Sequence, residues 1–180
     1  MACDLQNVIY GNTCTESYGG TGMQIKLFLP PETAPTYDDK KNQFSADAFT
    51  GVKAKTITVK KSSGEVTWNF NGNNAGWTAA FSGLIDADIN AMAVNNRTLG
   101  NLGGMFGVAV PVGTTDEGTP IYDIIYDHTY GVALEVSGTT GKEATDEKGH
   151  TFTVTCSTMK YGPTQWIGNF TEWSDATAEG

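Results

Sequence analysis

The sequence predicts a mainly β protein: a small β-sandwich or half-barrel with one flanking α-helix over about Gly83 to Thr98. Three observations carry this. Charged residues make up 17% of the chain, against about a quarter in ordinary domains, while glycine (22 residues), threonine and aromatics (11%) are plentiful, which suits strands and turns. Apolar residues recur again and again at a period of two. Helical spacing occurs once.

At 180 residues and 39% hydrophobic composition the chain can bury one sizeable core, so residues 1–180 read as a single domain. Residues 1–20 form an N-terminal arm carrying Cys3 and Cys14. Next comes a strand in which Met23, Ile25, Leu27 and Leu29 share one face, ended by Pro30 and Pro31. Residues 30–48 have no helical or strand period, and so long a connection suggests a loop used in an interaction, with Tyr37, Phe44 and the following Phe49 to bury.

The segment after Val52 reads as a hairpin, with Ile57 and Val59 on one strand and Val66, Trp68 and Phe70 on the other, the last two in the core. The apolar phase slips between Ala54 and Ile57, predicting a bulge near Thr56. Ile85, Ile89, Met92 and Ala93 then stand on one helix face, with Ser82 as N-cap and Gly100 past the C-terminus. Four further strands follow, around Val108, Val110 and Val112; Ile121 to Tyr126; Val132, Leu134 and Val136; and Phe152, Val154 and Cys156. The second of these has apolar residues on both faces, Ile121 and Ile125 against Tyr122, Ile124 and Tyr126, as for a strand buried against a partner. The polar stretch Ser137 to Cys156 reads as a long hairpin tip, because Gly141 and Lys142 lack a phosphate-loop frame and precede a strand. Residues 171–180 form an acidic tail.

A formal charge of −9 argues against a surface that grips nucleic acid through its phosphates. No apolar run is long enough to cross a bilayer and the amino terminus lacks a leader pattern, so a cytoplasmic, membrane-free protein is expected. The three cysteines suggest reduced thiols, although Cys3 and Cys14 could meet across a turn. His128 and His150 have no metal-ligand spacing, and no nucleophile elbow is present, so no catalytic residue, metal or cofactor is expected. Trp68, Trp77, Trp166 and Trp173 could stack sugars, which keeps a carbohydrate-binding or adhesin module as the alternative reading; a core role for Trp68, with the others at edges or interfaces, competes with it.

Three features occur together: the opening "MACDLQ" with Cys14 and then "GG" before the first strand; "NNRTLGNLGGMFGVAVPV"; and "YGVALEVSGTTGKEATDEKGHTFTVTC". In this order they resemble the tail tube, or major tail, proteins of tailed phages and prophages of gut Bacteroidetes, over about two thirds of the chain. Two positions depart from that pattern: no tryptophan follows "FGVAVPV", and "EKGH" stands for a tyrosine-bearing turn.

The resemblance implies a non-enzymatic virion protein, made in the bacterial host cytoplasm, whose hexameric rings stack into a tube and meet other tail proteins. Double-stranded DNA would pass through the lumen without specific binding during genome ejection. It also implies intersubunit contacts at Pro30, Pro31, Tyr37, Phe44 and Phe49 in the long loop, which would reach the neighbouring ring, and at Ile121, Tyr122, Ile124 and Tyr126. If each of six subunits gives four strands, a barrel with spacing of about 4.8 Å and tilt of about 40° has a backbone diameter of about 48 Å, leaving about 38 Å after side chains, which admits duplex DNA.

Overall fold

The computed structural model describes residues 15–17, 24–38, 40–41, 43–59, 63–72, 76–85, 101–139, 149–162 and 164–172. These hold thirteen strands. In chain order they are β1 (Thr15–Ser17), β2 (Gln24–Phe28), β3 (Tyr37–Asp38), β4 (Gln43–Phe44), β5 (Lys53–Thr58), β6 (Glu65–Phe70) and β7 (Trp77–Ile85). Then follow β8 (Gly107–Thr115), β9 (Pro120–Ile125), β10 (Ala133–Thr139), β11 (Gly149–Met159), β12 (Thr164–Ile167) and β13 (Thr171–Glu172).

A nine-stranded, curled half-barrel sheet runs in the order β13-β5-β2-β8-β9-β12-β4-β3, with β1 added to the far half of β8. A four-stranded antiparallel sheet, β10-β11-β7-β6, packs on one face of it. Between the sheets lies a first core, built from Ile25, Leu27, Ile57, Val59, Phe81, Val108, Val110, Phe152 and Val154 among others. A second core fills the curl of the large sheet with Phe28, Phe49, Tyr122, Ile124, Tyr126 and Trp166.

Having a core on each face of the large sheet resolves several differences from the sequence reading. In β5, Ala54 faces the second core and Ile57 the first, so the slipped apolar phase needs no bulge, and β2 pairs with β5 in one unbroken register from Gln24↔Thr58 to Phe28↔Ala54. In β9, Ile125 enters the first core while Tyr122 and Ile124 enter the second. The covering layer that a strand apolar on both faces requires is thus supplied within the chain.

The expected hairpin of β5 and β6 is not formed. β5 belongs to the large sheet and β6 to the small one, so the chain crosses from sheet to sheet between them. Gly83, Leu84 and Ile85 lie in β7 and not in a helix: β11 pairs with all three through Phe152, Thr151 and His150, and past the end of the β6 ladder at Ser82 the Leu84 N–H donates to Ser63 Oγ at 3.1 Å. Ser82, expected as an N-cap, instead shares a hydrogen bond with Thr153 Oγ1 at 3.1 Å across the sheet. Gly83 fits there because Phe81 and Val59 crowd the space a Cβ would take. The rest of the expected helix, residues 86–98, lies outside the described residues.

The loop over residues 30–48 folds back on its own domain. β3 and β4 make a small hairpin, β4 runs parallel to β12 through Gln43↔Gln165, and residues 44–52 cap the second core. Of the N-terminal arm, β1 pairs with β8. The acidic tail begins as β13, parallel to β5, where Glu172 Oε1 meets Lys26 Nζ at 2.7 Å. The β10–β11 hairpin forms as expected, from Ala133↔Thr155 to Thr139↔Gly149, and its tip lies outside the described residues.

Candidate functional site

The small sheet stands out because, among the described residues, neither of its outer strands has a neighbour on its far side. The backbone geometry of these edges follows from one hydrogen bond. Asn71 N donates to Gly76 O at 2.9 Å, in the same register as the β6–β7 pairing. Antiparallel ladders bond alternate residues, so Glu65, Thr67 and Asn69 bond β7 while the N–H and C=O groups of Val66, Trp68 and Phe70 point out of the sheet. Carrying the alternation through Phe81 and Val154 puts the backbone groups of Leu134 and Val136 at the opposite free edge.

On both edges the outward-bonding residues are the apolar ones. Val66, Leu134 and Val136 are half-buried against the first core. Trp68 and Phe70 sit past its end and remain 42% and 61% exposed, which corrects their assignment to the core. Phe70 leans on Trp77, with ring centroids 5.2 Å apart and planes at 51°. Trp77 is braced from the other side by Gly162, where any Cβ would strike the indole.

The face of this sheet turned away from the core is of different chemistry. Glu65, Thr67 and Asn69 in β6, Thr78, Ala80 and Ser82 in β7, Glu135 and Ser137 in β10, and Thr151, Thr153 and Thr155 in β11 alternate with the buried residues. This face carries hydroxyls and carboxylates, with Leu84 and Ala133 among them, but in its four strands no lysine or arginine. The strand lysines, Lys26, Lys53 and Lys55, belong to the large sheet.

No family model, curated protein or solved structure matches the chain. Its chemistry therefore has to be read from its own side chains.

The residues expected at subunit contacts fall into two groups. Phe49, Ile121, Tyr122, Ile124 and Tyr126 are between 0% and 6% exposed, enclosed by their own chain, and present almost no surface to a neighbour as the fold stands. Pro30, Pro31, Tyr37 and Phe44 are half-buried. The two prolines line an open groove with Glu32 and Lys53. Tyr37 stacks on Tyr161 at 3.9 Å, and Phe44 meets Phe49 edge-on at 5.0 Å. The hairpin's exposed part is its turn, with Lys40 and Lys41 beside Asp38.

The three described tryptophans differ in exposure. Trp166 is an interior residue at 1% exposure, Trp77 is half-buried, and Trp68 alone of the described three stands exposed, the reverse of the roles expected for Trp68 and Trp166.

Among the described residues no three His, Cys, Asp or Glu side chains gather as metal ligands would. His128 Nδ1 is 2.7 Å from the Tyr126 hydroxyl, a corner contact where burial pushes the phenol up. The buried Cys156 thiol lies 3.7 Å from Gly131 O, and desolvation raises its pKa, which suppresses the thiolate. Asp123 is the one buried carboxyl among the described residues; burial lifts it to about 6, opposed in part by a 3.3 Å hydrogen bond from Gln165 Nε2.

The edge strand β6 was hidden in the sequence because its alternation is that of any half-buried strand. A usable signal lay elsewhere: Thr151, Thr153 and Thr155 alternate with Phe152, Val154 and Cys156, marking a strand with one hydroxyl face.

Proposed function

We propose that this chain is a structural virion protein, a tail tube subunit whose copies join into rings that stack as the DNA-conducting channel of a phage tail. The observation that carries this reading is the four-stranded sheet whose two edges are free among the described residues and whose four strands hold no lysine or arginine. Its strands alternate in direction, so β6 of one copy is antiparallel to β10 of the next in a cyclic repeat. An even strand number therefore lets identical copies continue one ladder and close it, which removes both edges from solvent.

Closure with the large sheet outermost turns the hydroxyl and carboxylate face inward. Binding to duplex DNA draws its strength from lysines and arginines that displace counterions, and a wall without them lets DNA slide. Subunits would accumulate in the host cytoplasm and assemble into the tail with its other proteins. In the stacking direction the exposed β3–β4 turn offers Lys40 and Lys41 to a chain of net charge −9. The described tryptophans, one interior, one half-buried and one exposed, give the carbohydrate-binding alternative little support.

Negative-stain microscopy of the purified protein over a concentration series, with light scattering on the same samples, tests the reading. Rings or tubes of uniform bore are expected. A strict monomer at every concentration, with binding on a glycan array, would overturn it in favour of a sugar-binding module.

A further inference from the structure

We infer that β6 of one copy pairs with β10 of the next in one particular register, Trp68 opposite Val136 and Phe70 opposite Leu134, so that the exposed aromatic pair anchors the junction. The inference rests on the ring-forming reading above and specifies its interface.

Side-chain alternation permits only registers that keep the apolar residues of both strands on the core side. Four such registers pair at least three residues of β6 with β10; the one with Phe70 opposite Val136 leaves Glu65 and Val66 past the end of β10 and would incline the strands by about 46°, above the usual range of closed barrels. Within one copy Leu134 pairs with Val154, Val154 with Phe81, and Phe81 with Val66. If Val66 faces Gly138 of the next copy, crossing the four strands advances four residues along β10, one residue per strand. A stagger of about 3.3 Å per strand spacing of about 4.8 Å inclines the strands by about 35°, within the range of closed barrels, whatever the number of copies. Placing Val66 opposite Val136 halves the stagger and gives about 19°. Placing it opposite Leu134 gives no tilt and sets Glu65 directly against Glu135, a repulsive cross-strand pair.

The hand of the stagger agrees as well. Seen from the core side with β6 ascending, L-residues whose side chains face the viewer direct their backbone groups to the right. The next β10 therefore lies to the right and descends, and the advance from Leu134 to Gly138 runs downward. That inclines the strands as right-handed coils, the sense imposed by strand twist. This register also places all six residues of β6 opposite residues of β10, and sets Asn69 beside Glu135. Trp68 and Phe70, uncovered in one copy, then lie against Val136 and Leu134 of another, whose backbone groups also point outward.

Cysteine pairing reads the register directly. In a full-length Cys3→Ser, Cys14→Ser background, Thr67→Cys with Ser137→Cys places two exposed, non-hydrogen-bonded positions opposite each other, with Cα atoms about 4.5 Å apart. Mild oxidation is expected to give a ladder of covalent oligomers from this pair and at least tenfold less from Thr67→Cys with Glu135→Cys. The reverse preference would overturn the register and leave the ring reading standing. Rings that form under the microscope while neither pair cross-links would overturn edge pairing altogether, and native protein that never assembles would remove both. As a separate readout, Trp68→Ala with Phe70→Ala should raise the concentration needed for assembly at least tenfold without lowering the monomer Tm; unchanged assembly refutes the anchoring role.

Discussion

Replacing Asp123 by Asn should stabilise the protein, and by an amount that depends on pH in a specific way. Asp123 lies in the middle of β9, opposite Val110 on one side and Gln165 on the other, and is only 7% exposed. Burial disfavours its carboxylate and raises its pKa from 3.8 to about 6, while the Gln165 amide lowers it by a smaller amount. Below pH 4 the carboxyl is protonated in both folded and unfolded chains and contributes no penalty. Between about 4 and 6 the unfolded chain releases the proton while the folded one keeps it, so stability falls as pH rises; above 6 the loss is complete. A shift of about two units corresponds to about 3 kcal/mol at pH 7. Asn keeps an acceptor for the Gln165 amide and cannot ionise. The variant should therefore melt about 6–12 °C higher than the native protein at pH 7, and at the same temperature below pH 4. Thermal unfolding followed by circular dichroism at several pH values between 3.5 and 8 measures the difference, in which the titration of all other groups cancels. A Tm difference independent of pH, or a variant less stable at pH 7, would refute the assignment of an ionisation penalty to this site.

Three further outcomes are expected. Phe49→Ala, which empties a fully buried position contacted by Phe28, Phe44, Tyr126, Trp166 and Phe170, should cost about 3–5 kcal/mol in denaturant unfolding; a loss below 1 kcal/mol would show that the second core is not integral to the fold. Lys40→Glu with Lys41→Glu changes only exposed side chains of the β3–β4 turn and should leave rings intact while shortening tubes; full-length tubes in microscopy would rule the turn out of ring stacking. Glu65→Lys with Glu135→Lys should convert assembled tubes from DNA-inert to DNA-retaining, with retention that weakens steeply as salt rises in a sedimentation assay; no retention would mean that the small sheet does not face the lumen.

Periodicity made the residues of the first core legible, even in β2 and β8, whose other faces put Phe28 and Ala109 into the second core. Ile25 and Leu27, Val108 and Val110, and Phe152, Val154 and Cys156 all occupy the first core, as their alternation predicts. It failed where the apolar phase switches faces within one strand or where context chooses the partner. The Ala54-to-Ile57 slip looks like a defect in a one-faced strand, yet it is the ordinary pattern of a strand between two cores. β6 and β5 are close in sequence and share the hairpin pattern, but nothing in their residues says that they join different sheets. The i, i+4 spacing that begins at Ile85 overrode the strand character of Phe81 and Ile85, because short apolar runs fit either period. The 30–48 segment lacks a period since its two strands have two residues each, too short for any alternation to register. Its aromatic residues, Tyr37 and Phe44, are where its packing resides.

Position in the fold separates two sets of aromatics that look alike in the sequence. Residues 44–52 carry Phe44 and Phe49 into a space that the curled sheet leaves open, so Phe49 is buried fully and Phe44 partly within one copy, and their burial contributes to folding. Trp68 and Phe70 lie on a strand whose core face extends past the sheet that should cover it, and there is no further segment among the described residues to take that place. Large exposed aromatics on an edge strand favour aggregation unless some device manages the edge. β6 has no proline, no bulge and no lysine, the usual devices of a strand meant to stay unpaired. Its only charge is Glu65 at its first residue, so the edge is suited to accept a strand, and a copy presenting β10 answers its length, direction and apolar side chains together.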